Sequence, residues 1–282
     1  MKKVFFEDVV LNVKNLVHAA SSLTPSCERA LENALENEEN FNAKFALDTI
    51  ITNNALAKRE DLPVCQDTGM AVFFVEYGGD VVFVGGDFED AINEGVRQGY
   101  KEYGYRASVL DPITRKNTGD NTPAVVHVKI VKGDTIKISF MAKGFGSENM
   151  SKLFMLTPSK GIEGVKNAVL QAVKDAGANP CPPIVVGVGI GGTAEKAMQI
   201  AKEELLREVG KPSDDPYLAT LEKELLKSIN ALGIGAQGFG GISTALAVHV
   251  GKYPTHISAL PVAVNIQCHA VRTSSVVIGG KE

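Results

Sequence analysis

The sequence predicts a mixed α+β fold, with an N-terminal helical layer followed by β-hairpins and a mixed sheet that is flanked by helices. Two observations predict it. Apolar residues recur at helical spacing through about the first 60 residues. After them, short β-branched runs bounded by glycine, proline and asparagine alternate with further helical segments. We expect residues 1–282 to form a single domain, with the helical layer at 1–60 and a β-rich and α/β remainder at 61–282.

Three helices are predicted in the N-terminal layer. The first covers residues 5–22, where valine and leucine recur on one face. The second begins at Thr24-Pro25, because threonine is a good N-cap and proline is favoured in the first turn. The third covers about 43–58. Cys27 falls on the apolar face of the second helix, so we expect it to be a small buried side chain.

Two β-hairpins are predicted to follow this layer. A strand at 70–77 turns through Gly78-Gly79 into a strand at 81–84. A strand at 124–131 turns at Gly133-Asp134 into a strand at 135–141, and a helix at about 88–104 separates the two hairpins. Both predictions depend on glycine-containing turns between apolar runs.

The later half of the chain is predicted to be an α/β region. A helix at 161–177 ends at glycine, a buried strand covers 183–189, and Thr193 caps the next helix. A further helix at 215–232 leads into a glycine-dense loop at 233–241. The chain then continues in β-rich segments at 242–250, 256–265 and 270–278.

Composition and charge exclude several classes of function. The chain is 44% hydrophobic and 22% charged, with a formal net charge of −4 and no long basic run that could neutralise the phosphates of a nucleic acid. It shows neither a signal-peptide pattern nor an apolar run of membrane-spanning length. We therefore expect a cytoplasmic protein that binds neither nucleic acid nor membrane.

The cysteines are spread widely along the chain, at Cys27, Cys65, Cys181 and Cys268, with no C-x-x-C pair. In a reducing cytosol such thiols are buried, catalytic or metal-bound, and spacing does not choose among these. All except Cys27 lie in polar or proline-punctuated junctions. Cys181 lies between prolines, which we expect to hold its backbone extended and to present its thiol. Three thiolates that converge from distant loops would suit a cubane iron–sulfur cluster with one iron free of protein ligand.

A second motif suggests a different class of function. Gly187 to Gly192 match G-x-G-x-x-G after a predicted strand and before a helix, the context of a dinucleotide-binding loop. The segment after this motif is helical, whereas the dinucleotide fold requires a second strand there. A nucleotide-binding oxidoreductase is therefore the distant alternative, and a non-catalytic scaffold is another.

Four motifs together resemble the α subunit of the class I fumarate hydratase and L-tartrate dehydratase family, equivalent to the N-terminal part of its single-chain members. They are PVCQDTG from Pro63, KGFGSEN from Lys143, NPCPP from Asn179 with the following GVGIGGT, and the segment from Pro254-Thr-His to Asn-Ile-Gln-Cys268. The resemblance implies an oxygen-sensitive [4Fe-4S] cluster held by Cys65, Cys181 and Cys268. It also implies reversible hydration of fumarate to (S)-malate, with L(+)-tartrate dehydration as the alternative.

The same resemblance implies roles for individual residues. Asp67 would take part in proton transfer, and the residues that bind substrate would be Gln66, Arg106, Lys143, Gly144, Gly146 and His256. A dianionic substrate needs cationic or N–H donors, and arginine offers a bidentate match to a carboxylate. Two structural alternatives stay open: an Asx turn at Cys65 to Asp67, and a purely structural His256.

The resemblance also implies a partner. The family's active site draws on a β subunit or C-terminal domain, and the chain after Cys268 is too short to supply one. We therefore expect this chain to be inactive alone and to form a complex with a separately encoded β subunit, as a dimer of αβ pairs. The loops that carry the cysteines are expected to converge on the iron–sulfur site, where a small dicarboxylate would bind.

Overall fold

The computed structural model describes residues 2–279. Its helices are α1 (Phe6–Ala19), α2 (Pro25–Asn37), α3 (Phe41–Arg59), α4 (Phe88–Glu102), α5 (Phe145–Glu148), α6 (Gly161–Ala176), α7 (Ala194–Glu203) and α8 (Pro216–Asn230). Its strands are β1 (Lys2–Phe5), β2 (Met70–Gly78), β3 (Val81–Val84), β4 (Val125–Val131), β5 (Thr135–Lys143), β6 (Lys152–Leu156), β7 (Ile184–Gly191), β8 (Ala245–Tyr253), β9 (Leu260–Gln267) and β10 (Thr273–Gly279). The predicted mixed α and β fold is confirmed.

The chain divides into two compact units. Among the described residues, the first unit contains 2–23, Ala57–Gly144 and 272–279. The second unit contains Thr24–Leu56 and Phe145–Val271. The three helices predicted in the first 60 residues are present, but α1 belongs to the first unit and α2 to the second. The single domain over 1–282 stays a prediction.

The starts of α2 and α8 follow local signals in the sequence. The hydroxyl of Thr24 accepts a hydrogen bond from the Cys27 backbone N–H at 3.4 Å, and Pro25 occupies the first turn of α2. The Asp215 carboxylate accepts from the Tyr217 N–H at 2.9 Å at the start of α8, where Pro216 follows. Among the described residues, no helix combines the length and the apolarity needed to cross a membrane.

The main sheet of the first unit has the strand order β10-β5-β2-β4. β5 runs antiparallel to both β2 and β10, and β4 runs parallel to β2. The helices α1 and α4 pack against it, around a core that includes Phe73, Phe140 and Ile92. β3 pairs in parallel with β1 in a separate two-stranded sheet, and β1 was not predicted.

Both predicted hairpins are therefore wrong. β2 pairs with β5 on one side and with β4 on the other, so the described sheet contains neither the predicted β2–β3 pair nor the predicted β4–β5 pair. The reason lies in the glycine that suggested the first turn. A Cβ on Gly78 would lie 2.5 Å from the Gly133 carbonyl oxygen and 2.6 Å from that of Thr135. Because Gly78 has no side chain, the turn at Gly133 can pass close to β2. β2, which is apolar and buried, pairs on both of its sides within the sheet.

The sheet of the second unit has the strand order β6-β9-β7-β8. β7 runs parallel to β8 and antiparallel to β9, which also pairs with β6. Helices α6 and α8 contribute to a core with Val186, Val188 and Ile266, while α7 contributes Ala197 and Ala201 to a smaller cluster with Ala263. β6 was not predicted, since its five residues lie in a stretch without clear alternation.

The backbone of α7 packs directly on β7. Added Cβ atoms on Gly187 and Gly189 would overlap the carbonyl oxygens of Ala201 and Ala197, respectively. Both glycines lie inside the strand, which extends to Gly191. They are therefore required for close contact between helix and strand.

Replacing Gly189 by alanine should lower the free energy of unfolding by about 1–3 kcal/mol, because α7 or β7 must shift to admit the methyl group. Denaturant unfolding followed by circular dichroism measures the change. Gly79→Ala is the matched control, since its Cβ would lie at an ordinary 3.5 Å from the Val131 carbonyl oxygen. Equal stability of the two variants would contradict this packing.

Candidate active site

In the main sheet of the first unit, the start of β2, the end of β5 and the start of β10 lie side by side. The start of β2 pairs with the end of β5, with Met70 opposite Lys143. The start of β10 pairs with the same end of β5, with Thr273 opposite Met141. These pairings place three parts of the chain next to one another: the segment before β2, Gly144 after β5, and Arg272 before β10.

Asp67 lies in this cluster of strand ends. Its Oδ1 accepts a hydrogen bond from the Gly69 N–H at 3.0 Å, which is the Asx turn left open by the sequence. Its main-chain carbonyl accepts a hydrogen bond from Arg272 Nη1 at 2.7 Å. A Cβ built on Gly144 would lie 3.3 Å from Asp67 Oδ2 and 3.5 Å from Arg272 Nη2. The absence of a side chain at Gly144 therefore lets the carboxylate and the guanidinium lie against the backbone.

Buried donors hold the segment that carries Asp67. The Tyr100 hydroxyl lies 2.9 Å from the carbonyl oxygens of Thr68 and Gly69, and the Asn121 side-chain amide donates to the Gly69 carbonyl at 3.2 Å. Burial raises the pKa of Tyr100, so this hydroxyl stays protonated and remains a donor. The Thr68 hydroxyl donates to the main-chain carbonyl of Arg106 at 3.0 Å, which brings Arg106 beside the same loop.

The remaining predicted residues of the first unit differ in exposure. Cys65 is half-buried, and its Sγ lies 3.5 Å from the exposed Gln66 side-chain oxygen. The Arg106 side chain is exposed. Lys143 is only 1% exposed, and its Nζ lies 3.4 Å from the Gly144 carbonyl oxygen. The predicted loop from Lys143 is in fact the end of β5 followed by the short helix α5. This helix belongs to the second unit, and Gly146 within it is exposed.

In the second unit, β7 and β9 bring two cysteine segments together. Val185 near the start of β7 pairs with Gln267 at the end of β9, so the residues before β7 and after β9 share one edge of the sheet. Cys181 precedes β7 and is exposed, while Cys268 follows β9 and is half-buried. The Gln267 side-chain amide lies 3.8 Å from Cys268 Sγ.

The Cys181 backbone is not extended, so that prediction is wrong. Its φ is +54°, in the left-handed region. Hydrogen bonds to its own carbonyl and to the next one hold this conformation, and they override the preference of a residue before proline for extended backbone. His269 donates to the Cys181 carbonyl from Nδ1 at 2.9 Å, and Gln237 donates to the Pro182 carbonyl from Nε2 at 2.8 Å.

Cys27 lies in the same unit and is fully buried, as predicted. Its thiol donates to the His269 carbonyl at 3.1 Å. Burial raises the pKa of this thiol to about 12, and the nearby Cys268 contributes to the increase. Cys27 therefore differs in chemistry from the more accessible cysteines.

The two histidines on and after β8 have different environments. His249 is 1% exposed, its Nδ1 lies 3.1 Å from the Glu204 carbonyl oxygen, and burial lowers its pKa to about 4. It is neutral at physiological pH. His256 is exposed, and its Nδ1 accepts from the Ser258 N–H at 3.2 Å, so the proton of its neutral ring lies on Nε2.

Sequence reasoning missed several residues that hold the candidate site, among them Tyr100, Asn121, Gln237 and Arg272. Arg272 is 2% exposed, and a charged residue at the start of a β-rich segment was a usable signal. Gln237 likewise interrupts a run of glycines. Tyr100 and Asn121 gave no comparable signal, because their roles come from contacts distant in sequence.

Comparisons with known proteins agree with the motifs. The family model described as fumarate hydratase (fumerase) matches residues 11–277. A Methanocaldococcus jannaschii protein named "Putative L(+)-tartrate dehydratase subunit alpha" is 44% identical over 264 residues, which cover 90% of this chain and 91% of that protein. The "L(+)-tartrate dehydratase subunit alpha" of Escherichia coli K12 is 32% identical over 239 residues, which cover 83% and 78%.

In the folded protein without cofactor, we expect iodoacetamide at about pH 8 to modify Cys181 well before Cys27. A pKa of about 12 leaves roughly one Cys27 thiol in ten thousand ionised at that pH, and the thiolate is the reactive form. Mass spectrometry of peptides sampled over time measures the order, and a sample in denaturant shows that both can react. Equal rates in the folded protein would rule out the buried position of Cys27.

Proposed function

Since the chain belongs to the fumarate hydratase family, we propose that it is the alpha subunit of an iron–sulfur hydro-lyase that reversibly adds water to fumarate, giving (S)-malate. The family match over residues 11–277 carries this proposal, because it includes every candidate residue from Cys65 to Cys268. The relatives named as alpha subunits support a separately encoded β subunit as partner. The assembly that we propose is a dimer of αβ pairs.

We assign the ligands of a [4Fe-4S] cluster to Cys65, Cys181 and Cys268. None of the three is in a disulfide and each has some solvent access, and thiolates are the donors that such clusters require. Cys27 does not fit, because it is fully buried in the core and its thiol already donates to the His269 carbonyl. Within residues 2–279 no group of three or more His, Cys, Asp or Glu side chains is placed to hold a metal ion, but the cysteines of a cubane each bind a different iron. When bound, the cluster supplies a Lewis-acidic iron for the substrate hydroxyl and carboxylate.

Asp67 is the proposed group for proton transfer. Hydration puts a proton on one alkene carbon and a hydroxyl on its neighbour, so a positioned acid–base group beside the substrate is required. The hydrogen bond from the Gly69 N–H holds Oδ1, and Oδ2 then lies against Gly144. The turn therefore gives the carboxylate one defined orientation, and the neighbouring Gln66 side chain is exposed for contact with the substrate.

The charge of a dicarboxylate explains the other proposed residues. The exposed Arg106 guanidinium can bind one carboxylate in a bidentate manner. His256 can donate from Nε2, because Nδ1 accepts from Ser258. Lys143 contributes positive charge, and backbone N–H groups at Gly144 and Gly146 are the proposed further donors.

Dehydration of L(+)-tartrate is the second candidate function, and the names of the two relatives favour it. The nucleotide-binding alternative loses its support. Gly187 and Gly189 lie inside β7 and make room for the backbone of α7, so they do not form a turn around a phosphate.

The complex with the β subunit, reconstituted anaerobically, should hydrate fumarate, whereas the isolated chain should not. Cys181→Ser should lower the rate at least about 100-fold and weaken the visible absorbance of the cluster, because a ligand is lost. Cys27→Ala should keep that absorbance. Assays with fumarate and with L(+)-tartrate compare the two substrates.

Each outcome decides one part of the proposal. Faster turnover of L(+)-tartrate than of fumarate would assign the second function. Full activity of the isolated chain would remove the need for a partner. Unchanged activity in Cys181→Ser would rule out the cluster ligand.

Gly144→Ala should lower kcat about tenfold while leaving the thermal unfolding temperature close to that of the wild type. The new Cβ, at 3.3 Å from Asp67 Oδ2, displaces the carboxylate by a few tenths of an ångström, and catalysis is sensitive to such shifts. Gly79→Ala serves as the control. An unchanged kcat would argue against the placement of Asp67 in proton transfer.

A further inference from the structure

The segment that presents Cys181 has few hydrogen-bond donors of its own. Pro180, Pro182 and Pro183 have no backbone N–H. The Cys181 N–H donates to the Ala178 carbonyl at 3.1 Å. Any further anchoring of this segment by backbone hydrogen bonds must therefore use its carbonyl groups.

Two successive carbonyls of this segment each accept two hydrogen bonds from a single residue. The Cys181 carbonyl accepts from the His269 backbone N–H at 3.4 Å and from His269 Nδ1 at 2.9 Å. The Pro182 carbonyl accepts from the Gln237 backbone N–H and from Gln237 Nε2, each at 2.8 Å. His269 and Gln237 thus use both the main chain and the side chain to hold two neighbouring peptide groups.

The backbone held by these bonds is in an uncommon conformation. Cys181 has φ +54° and Gln237 has φ +52°, and neither is glycine. Such conformations persist in folded proteins when the surrounding contacts hold them. Since the direction of Cβ follows from the backbone, these hydrogen bonds also set the direction of the Cys181 Cα–Cβ bond, from which the thiol extends.

The donors in this arrangement can be assigned from chemistry. A carbonyl oxygen accepts only, so His269 must carry its proton on Nδ1 and Gln237 must present its NH₂ group. His269 Nδ1 and Gln237 Nε2 lie 3.3 Å apart, side by side, as two donors to adjacent carbonyls. Asparagine at position 269 can place an amide N–H near the position of Nδ1, whereas leucine cannot.

We propose that His269 and Gln237 are positioning residues that hold the Cys181 sulfur in place for the cluster. The proposal rests on the proposed function, in which Cys181 is a ligand. It also assigns a role to the glycine-dense loop. In this loop Gly235 lies close to Gly240, and Gly238 lies close to Ala178. These close approaches place Gln237 beside the proline segment. His269 follows Cys268 directly, so one residue links two of the ligand segments.

The first test measures iron release. The variants His269→Leu and Gln237→Gly each remove one side-chain donor, and glycine keeps the left-handed backbone at 237. Both should lose iron to a chelator about fivefold faster than wild type under anaerobic conditions, since one net hydrogen bond corresponds to a factor of about 2 to 12. His269→Asn should stay within about twofold. Gln171→Ala, in the exposed part of α6, is the control.

The second test needs no cluster. Hydrogen exchange of the cofactor-free protein should show faster uptake at the Cys181 amide in His269→Leu and Gln237→Gly, and wild-type uptake in His269→Asn. Wild-type rates in both donor-removing variants, in this test and in iron release, would overturn the proposal. A wild-type protein that binds no cluster would instead reject the proposed function, while the exchange test would still decide whether the two residues hold the segment. If His269→Leu does not fold, Gln237→Gly decides alone.

Discussion

Antiparallel pairing of strands is the constraint on which the candidate site depends. When two strands run in opposite directions, the start of one lies beside the end of the other. In the first unit this places the Asp67 segment next to Lys143 and Gly144, through the pair Met70 and Lys143. In the second unit it places the Cys181 segment next to Cys268, through the pair Val185 and Gln267. Residues far apart in sequence are thereby held together by backbone hydrogen bonds.

Glycines show how close packing can resemble a binding motif. The spacing of Gly187 and Gly189 fits a dinucleotide loop, yet both face the backbone of α7 from within β7. Gly78 fits a hairpin turn, yet it lies against the carbonyl groups of Gly133 and Thr135. Gly144 differs from these, because the atoms nearest to its missing side chain belong to Asp67 and Arg272. Only the structure shows which atoms surround each glycine, and these atoms distinguish a glycine required for backbone packing from one that lies beside candidate site residues.

The features that the sequence predicted correctly are those that local interactions determine. Thr24 caps α2 through a contact within three residues of itself, and Cys27 was placed in the core by helical periodicity. The hairpins were wrong because strand pairing depends on which strand is the most buried, and that is settled by the whole sheet. For the site, the four motifs contain the candidate residues except Arg106, which the family resemblance supplied. They did not predict Arg272 or Gln237, which act through contacts with distant segments.

Burial has a further consequence for the segments that carry the candidate residues. Tyr100 donates beside Asp67, and Cys27 donates to the carbonyl of His269. Both groups have raised pKa values because they are buried, to about 12 for Cys27. A donor of this kind keeps its proton throughout the physiological pH range, so its hydrogen bond does not weaken as pH changes. The supporting structure therefore keeps its geometry while groups that take part in proton transfer change their protonation during turnover.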